Sequence, residues 1–254
     1  MGKLLQIGSG KNIGEDWINI DQISFPGVQT VNIDPSLNLP IGNDEVSVAY
    51  TSHFLEHLND ATVARVLAES FRVLQDNGSL IIKIPDFSMI QSWYRENNWE
   101  QFQKFKFFGV TSVLERWKKY NVQPTYTNVA SMMFCGYWSK SLNDHFKFGV
   151  QADTDGYHGP ARIDENVTRE ILLNFEPHEI SNKFTEFCKQ DPDFGAFNHQ
   201  NAWSQTEFVS LANSWGFKLV CDNPSDICKK FSNAPKIIDN MSPWSMYLEF
   251  IKPI

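Results

Sequence analysis

No two of the four cysteines, Cys135, Cys188, Cys221 and Cys228, stand in a CxxC or CxxxC spacing, so neither a zinc ribbon nor a dithiol redox motif is encoded. They read as reduced thiols. No stretch approaches the roughly 20 apolar residues needed to span a bilayer, and the amino terminus lacks the apolar run of a signal peptide. The expected compartment is the cytoplasm, with no membrane partner. A myristoylation signal is also missing, because Gln6 stands where that signal needs Ser or Thr. Positive charge is not in excess: 22 Lys and Arg face 30 Asp and Glu, for a formal net charge of −8. That balance removes the broad attraction for nucleic acid and favours small-molecule or saccharide ligands. The pairs Lys118-Lys119 and Lys104/Lys106 are a modest basic feature that reads as a solvated helix face. Internal repeats and low-complexity tracts are absent.

What is present suffices for a packed core. The 254 residues, 42% of them hydrophobic, form one large domain or a domain with a sizeable insertion. Leu4, Leu5 and Ile7 form a short apolar strand that runs into the glycine turn Gly8-Ser9-Gly10. Trp17 to Asp21 and Thr30 to Asp34 read as second and third strands, each closing on an aspartate, and Glu45 to Thr51 alternates as a fourth. From Asp60 to Gln75 the residues Val63, Val66, Leu67, Phe71 and Leu74 recur at helical spacing, with Asn59 or Asp60 as cap and Asp76-Asn77-Gly78 as the stop. A fifth strand follows over Leu80 to Ile84. A helix over Ser204 to Trp215 and strands over Phe217 to Cys221 and Met246 to Ile251 complete the pattern.

Strands alternating with helices predict an α/β fold, a Rossmann-like and mostly parallel sheet with helices on both faces. Residues 88–199 break the rhythm, being rich in Trp, Phe and Tyr, and read as a large helical and loop insertion after the fifth strand. The expected division is therefore a sheet domain over 1–87 and 200–254, with an aromatic-rich substrate cap over 88–199. Trp93, Tyr94, Trp99, Trp117, Tyr137 and Trp138 could stack on sugar or nucleobase faces, or simply form core.

Ligands of such sheets bind at the carboxyl ends of the strands. Gly8 and Gly10 would let the backbone approach a ligand there, as a side chain would collide with it. The spacing is not that of the dinucleotide fingerprint, because position 13 is Ile13 and the next glycine is Gly14. Asp21 stands where a carboxylate would accept a ribose diol, and Asp34 where one would accept from an adenine amino group. Alone, either aspartate reads as a cap or loop residue. Together with the glycines they favour an adenosine ligand. The string His53-Phe54-Leu55-Glu56-His57 matches the H-x-x-E-H of inverted zinc peptidases. Such an enzyme needs the string inside a long helix with a downstream acidic ligand, whereas here it follows a strand with Ser52 at the turn. No metal ligand is assigned, and the zinc-dependent hydrolase stays an alternative.

Leu5-Gln6-Ile7-Gly8-Ser9-Gly10, Trp17-Ile18-Asn19-Ile20-Asp21, Ser52-His53 through Leu55-Glu56-His57-Leu58, Arg72-Val73-Leu74 before Gly78, and Ile84-Pro85-Asp86 together resemble the class I S-adenosylmethionine-dependent methyltransferases, with most likeness to a small bacterial and phage branch of the type 11 kind. The tail from His199 through Trp215-Gly216-Phe217 to Tyr247-Leu248-Glu249-Phe250-Ile251 fits the same branch, while the middle of the chain is unmatched. The resemblance implies S-adenosylmethionine as cofactor, with Gly8, Ser9 and Gly10 near its methionine part, Asp21 on the ribose, Asp34 near the adenine, and Ser52 and His53 flanking the sulfonium. It also implies a helix ahead of the first strand, for which the sequence has no room, so the insertion or another subunit would supply that wall. A homo-oligomer stays open.

The implied activity is methyl transfer to oxygen or nitrogen of a small-molecule or glycan-type acceptor. A non-catalytic adenosine-binding interaction protein is the other class that the same residues allow. A hydroxyl acceptor would use a base. His57 and His158 are the candidates, the latter in the glycine-flanked loop Gly156-Tyr157-His158-Gly159-Pro160. Glu56, Asp86, Tyr157 and His199 are candidate acceptor contacts.

Overall fold

The computed structural model describes residues 2–98, 100–101, 125–135, 164–189, 198–231 and 244–254. The chain divides into two compact units, one of residues 1–85 with 205–254, the other of residues 86–204. Among the described residues no helix is long and apolar enough to cross a membrane.

The first unit is built on a seven-stranded sheet. Its strands are β1 (Lys3–Ile7), β2 (Ile18–Asp21), β3 (Gln29–Thr30), β4 (Val46–Ser52), β5 (Leu74–Pro85), β6 (Lys218–Cys221) and β7 (Ser245–Ile251), in the spatial order β3-β2-β1-β4-β5-β7-β6. The first five run parallel, and β7 lies antiparallel between β5 and β6. Sheet and helices follow the sequence pattern closely at β1, β2, β4 and β7. The third strand does not: it stops at Thr30, so Asp34 lies in the loop beyond it rather than at a strand end.

Helices cover both faces. Helix α1 (Asp60–Val73) is capped by the Asn59 side chain, which accepts from the Thr62 amide at 2.9 Å. It buries Val63, Val66, Leu67 and Val73. Helix α6 (Gln205–Ser214) lies on the same face, since Phe71 of α1 meets Phe217, and Phe217 and Phe208 both meet Phe250 of β7. The opposite face carries Trp17, Tyr50, Ile81 and Tyr247, and against them packs Ile227 from helix α7 (Pro224–Lys230). Lys230 of α7 pairs with the buried Glu249 of β7. The expected alternation of strands with helices fails early in the chain. Residues 8–17 and 22–28 join β1 to β2 and β2 to β3 without a helix. These links have ten and seven residues, too few for a crossover helix with its turns.

The expected stop at Asp76-Asn77-Gly78 is no break. Helix α1 ends at Val73 and β5 starts at once, its register against β4 shifting between Val46 and Val48 to absorb the extra residues. Asn77 takes φ +59°, its amide donates to Lys252 O at 2.8 Å, and the Lys252 amide returns a bond to Gly78 O at 3.1 Å.

The second unit packs α2 (Phe87–Arg95), α3 (Tyr126–Cys135), α4 (Glu165–Asn174) and α5 (Pro177–Cys188) around Phe87, Phe134 and Phe184. Buried Gln91 donates to Leu172 O and Phe175 O at 2.9 and 2.7 Å, satisfying carbonyls at the end of α4. Tyr94, one of the aromatics available for stacking, is buried, as is Trp203. A cavity of about 410 Å³ is lined by Tyr94, Arg95, Thr127, Glu165, Arg169 and Leu173. Trp99, Trp117, Tyr137, Trp138 and the Lys104, Lys106, Lys118 and Lys119 positions lie outside the described residues.

Candidate functional site

The chain runs outward from β1 to β2 and β3, then returns to place β4 on the other side of β1. Strand order reverses there, and an open parallel sheet forms a crevice outside the carboxyl ends of the two strands that part. The fold is Rossmann-like. At the end of β1, Gly8 and Gly10 adopt φ +71° and +53°. The turn they make is held by Asp21: its Oδ2 accepts from the Gly10 amide at 2.8 Å and its Oδ1 from the Ile23 amide at 2.9 Å. Asp21 is 6% exposed, and its carboxylate is a buried scaffold for the glycine turn. Each oxygen keeps acceptor capacity after one such bond.

The two glycines differ in purpose. A Cβ at Gly8 would stand 2.1 Å from Cγ of Phe54, so Gly8 is required by the protein's own packing. A Cβ at Gly10 would meet nothing within 4 Å, so it is Gly10 that presents bare backbone to open space. Behind them lies a residue the sequence reading passed over. Gln6 is 1% exposed, and its amide nitrogen and oxygen have no hydrogen-bond partner among the described residues. An apolar strand with one interior amide, two positions ahead of the glycine turn, is the signal that could have found it.

No protein-family model matches this sequence, and no curated protein sequence does. Solved structures to which this chain is similar include an S-adenosylmethionine-dependent methyltransferase from Mesorhizobium loti, 11% identical over 98% of this chain and 90% of that one, with a TM-score of 0.40. Another is PKMT2 from Rickettsia typhi in complex with AdoHcy, 12% identical over 98% of this chain and 49% of that one, also at 0.40. Likeness at this level decides neither ligand nor reaction.

On the β4 side, Ser52 ends the strand and His53 follows with φ +48°, a conformation uncommon outside glycine. Its amide donates to Lys83 O at 2.8 Å. Both ring nitrogens are engaged, Nδ1 with Glu56 Oε1 at 3.2 Å and Nε2 with Ser245 Oγ at 3.0 Å, and the ring rests on Trp244 with centroids 4.9 Å apart. Only Leu55–His57 is helical here, as one 3-10 turn, so His53 and His57 are not an i, i+4 pair on an α-helix. The zinc-peptidase reading loses the helix it depends on. His57 is half-buried at the end of that turn, and Glu56 is fully buried.

The remaining candidates among the described residues each have a local structural role. Asp34 accepts from the Ser36 hydroxyl and amide at 2.6 and 2.7 Å and from Asn32, and the Ser36 hydroxyl, ahead of the Ser36 amide, holds its carboxyl below the usual range. It is thus a turn-former on the loop after β3. In the second unit, Asp86 caps α2 by accepting from the Met89 amide at 3.1 Å, and burial pushes its carboxyl up. His199 is tied to the end of α3, with Nδ1 at 2.9 Å from Met133 O and its amide donating to Cys135 O. Tyr157 and His158 lie outside the described residues.

Lys83, also missed from sequence, is a buried cation near the carboxyl end of β5. It is 4% exposed with Nζ 5.2 Å from the Tyr247 ring centroid. Burial lowers its pKa to about 8, against the pull of Cys228 and Glu56. Since the folded value lies below the unfolded one near 10.5, the unfolded chain binds more protons between pH 8 and 10.5, and stability rises with pH across that window. Below pH 8 the burial penalty is fully present. Lys83→Met is therefore expected to raise stability at neutral pH by about 1–3 kcal/mol and to flatten the alkaline rise, as urea unfolding at neutral and alkaline pH would show. Destabilisation by the methionine would mean that the ammonium is held by stronger bonds than these.

Proposed function

We propose that the chain binds S-adenosylmethionine at the crevice between β1 and β4 and transfers its methyl group to oxygen or nitrogen of a small-molecule or glycan-type acceptor. One observation carries the reading: Gly10 offers side-chain-free backbone to open space while Asp21, buried beneath it, fixes the turn with a carboxylate that can accept further bonds. Gln6 adds a buried amide two residues before the turn that a polar ligand would satisfy. These donors and acceptors fit a nucleoside with a zwitterionic tail better than they fit a dinucleotide, whose fingerprint is missing. The cofactor, when bound, supplies the electrophilic methyl on its sulfonium. The protein's task is alignment and exclusion of water.

In this assignment Gly8, Ser9 and Gly10 line the methionine side, Asp21 takes the ribose, and Ser52 with the fixed His53 borders the reacting centre. Asp34 is the adenine-side candidate, out on its loop. His57, half-buried at the end of the 3-10 turn, is the base candidate among the described residues.

S-adenosylhomocysteine or S-adenosylmethionine at about a hundred times Kd is expected to add roughly 2.7 kcal/mol to stability, seen as a rise of several degrees in melting temperature. Asp21→Ala should abolish that rise. It should also lower the melting temperature of the free chain, since two part-buried amides lose their acceptor at about 1 kcal/mol each. A parent chain whose melting is indifferent to both ligands contradicts the reading. Transfer of labelled methyl to a panel of saccharide and small hydroxyl or amine acceptors then identifies the acceptor class.

A further inference from the structure

Three side chains at the carboxyl edge of the sheet form a hydrogen-bonded chain of which the methyl-transfer reading uses only His53, and that as a border of its reacting centre. Ser245 Oγ lies 3.0 Å from His53 Nε2, and His53 Nδ1 lies 3.2 Å from Glu56 Oε1. Both distances fall in the range of a nucleophile joined to its base and a base joined to its orienting acid. Exposure follows the same order. Ser245 is partly exposed, the His53 side chain is 22% exposed, and Glu56 is fully buried. His53 is further restrained by Trp244 against its ring and by the positive φ of its backbone. An uncommon backbone conformation persists where the surroundings over-determine it, and such residues cluster at functional sites. Glu56 as acceptor fixes the proton on Nδ1, which leaves Nε2 to accept the proton of Ser245.

We propose that Ser245, His53 and Glu56 form a nucleophilic triad that cleaves small activated carboxylic esters. Ser245 Oγ attacks the ester carbonyl carbon as its proton moves to His53 Nε2. The carbon–oxygen bond to the alcohol then breaks, and the departing oxygen takes that proton. Water attacks the acyl-serine in turn, giving its proton to Nε2, and the carboxylic acid leaves as Ser245 Oγ recovers its hydrogen. The buried Glu56 carboxylate stabilises the imidazolium in both halves.

This activity does not depend on the methyl donor, so its test stands apart from ligand-induced stabilisation. The full chain is incubated with a fluorophosphonate probe, with a serine hydrolase as positive control, and the adduct is mapped by mass spectrometry. The adduct is expected on Ser245, and the chain is expected to hydrolyse p-nitrophenyl acetate. Ser245→Ala and His53→Gln should each lower both by at least about a hundredfold. Because His53→Gln also removes packing against Trp244, Ser245→Cys gives an independent measure: the thiol it introduces should react with iodoacetamide near neutral pH at least about tenfold faster than Cys221 or Cys228. An unlabelled Ser245 beside a labelled control, a label that survives in Ser245→Ala, or an introduced thiol in Ser245→Cys no faster than the native cysteines each overturns the proposal.

Discussion

Replacing Glu69 by alanine is expected to cost about 3–5 kcal/mol, seen as a fall of about 10 °C in melting temperature. Glu69 is 2% exposed on α1, and its carboxylate accepts from the Leu39 amide at 2.7 Å and from Arg72 Nε and Nη2 at 2.9 and 2.6 Å. Arg65 stands 3.2 Å away. Arg72 in turn donates to Ile41 O and Leu39 O, and Arg65 to Leu37 O at 2.5 Å. The group therefore fastens the long link between β3 and β4 to the helix, and losing its acidic centre leaves buried donors without acceptors. Burial by itself would raise the Glu69 pKa, but the Arg72 bond, the Leu39 amide and the two guanidinium charges outweigh it, and the net shift is downward. A carboxyl lowered in the folded state contributes stability above its unfolded pKa near 4.5, and that contribution drains away as pH falls through the folded value. Glu69→Gln should thus flatten the acid limb of the stability profile while the parent chain loses stability steeply there. Equal acid limbs would show that the carboxylate is not the group that titrates.

Gly8→Ala is expected to destabilise by about 2–4 kcal/mol, while Gly10→Ala costs about 1 kcal/mol, although both residues have positive φ. The difference is Phe54. Its ring is 8% exposed, and its Cγ and Cδ2 lie 2.1 and 2.4 Å from where the new methyl at position 8 would stand. Phe54 and the start of the 3-10 turn must give way, which also disturbs His53. At position 10 only the backbone preference opposes alanine. Phe54→Ala removes the obstacle, so the Gly8→Ala/Phe54→Ala pair should lose less than the sum of the single losses. Additive losses in urea unfolding would mean that the strain at Gly8 lies in its backbone alone. Gly10→Ala, with its fold kept, should weaken S-adenosylhomocysteine binding by about tenfold if open backbone is what admits the ligand.

Much of the sheet could be read from residue order because local pattern fixes it. The apolar runs of β1 and β7, the alternation of β4 and the helical spacing of α1 required no distant contact to recognise. Helix α7 was also legible, though overlooked: Asn223 accepts from the Ser225 amide as a cap, Pro224 opens the helix, and Lys229 and Lys230 close it. The third strand misled because Val31-Asn32-Ile33-Asp34 has a strand's composition but runs past the end of β2, whose last residue, Asp21, takes the Val31 amide at its carbonyl, and pairing is what makes a strand. The same holds for Asp76-Asn77-Gly78, whose turn chemistry is absorbed into β5 because Lys252 is there to bond with Asn77 and Gly78.

From the sequence alone came the fold class, the glycine turn after the first strand and the aspartate that closes the second, since each depends on neighbours within a few positions. Which glycine packs and which stays open, that Lys83 is buried, and that Ser245 meets His53 across 192 positions are decided only by the folded chain. Contacts of that kind depend on sheet order and register, which bring distant strand ends together, and no local pattern encodes them.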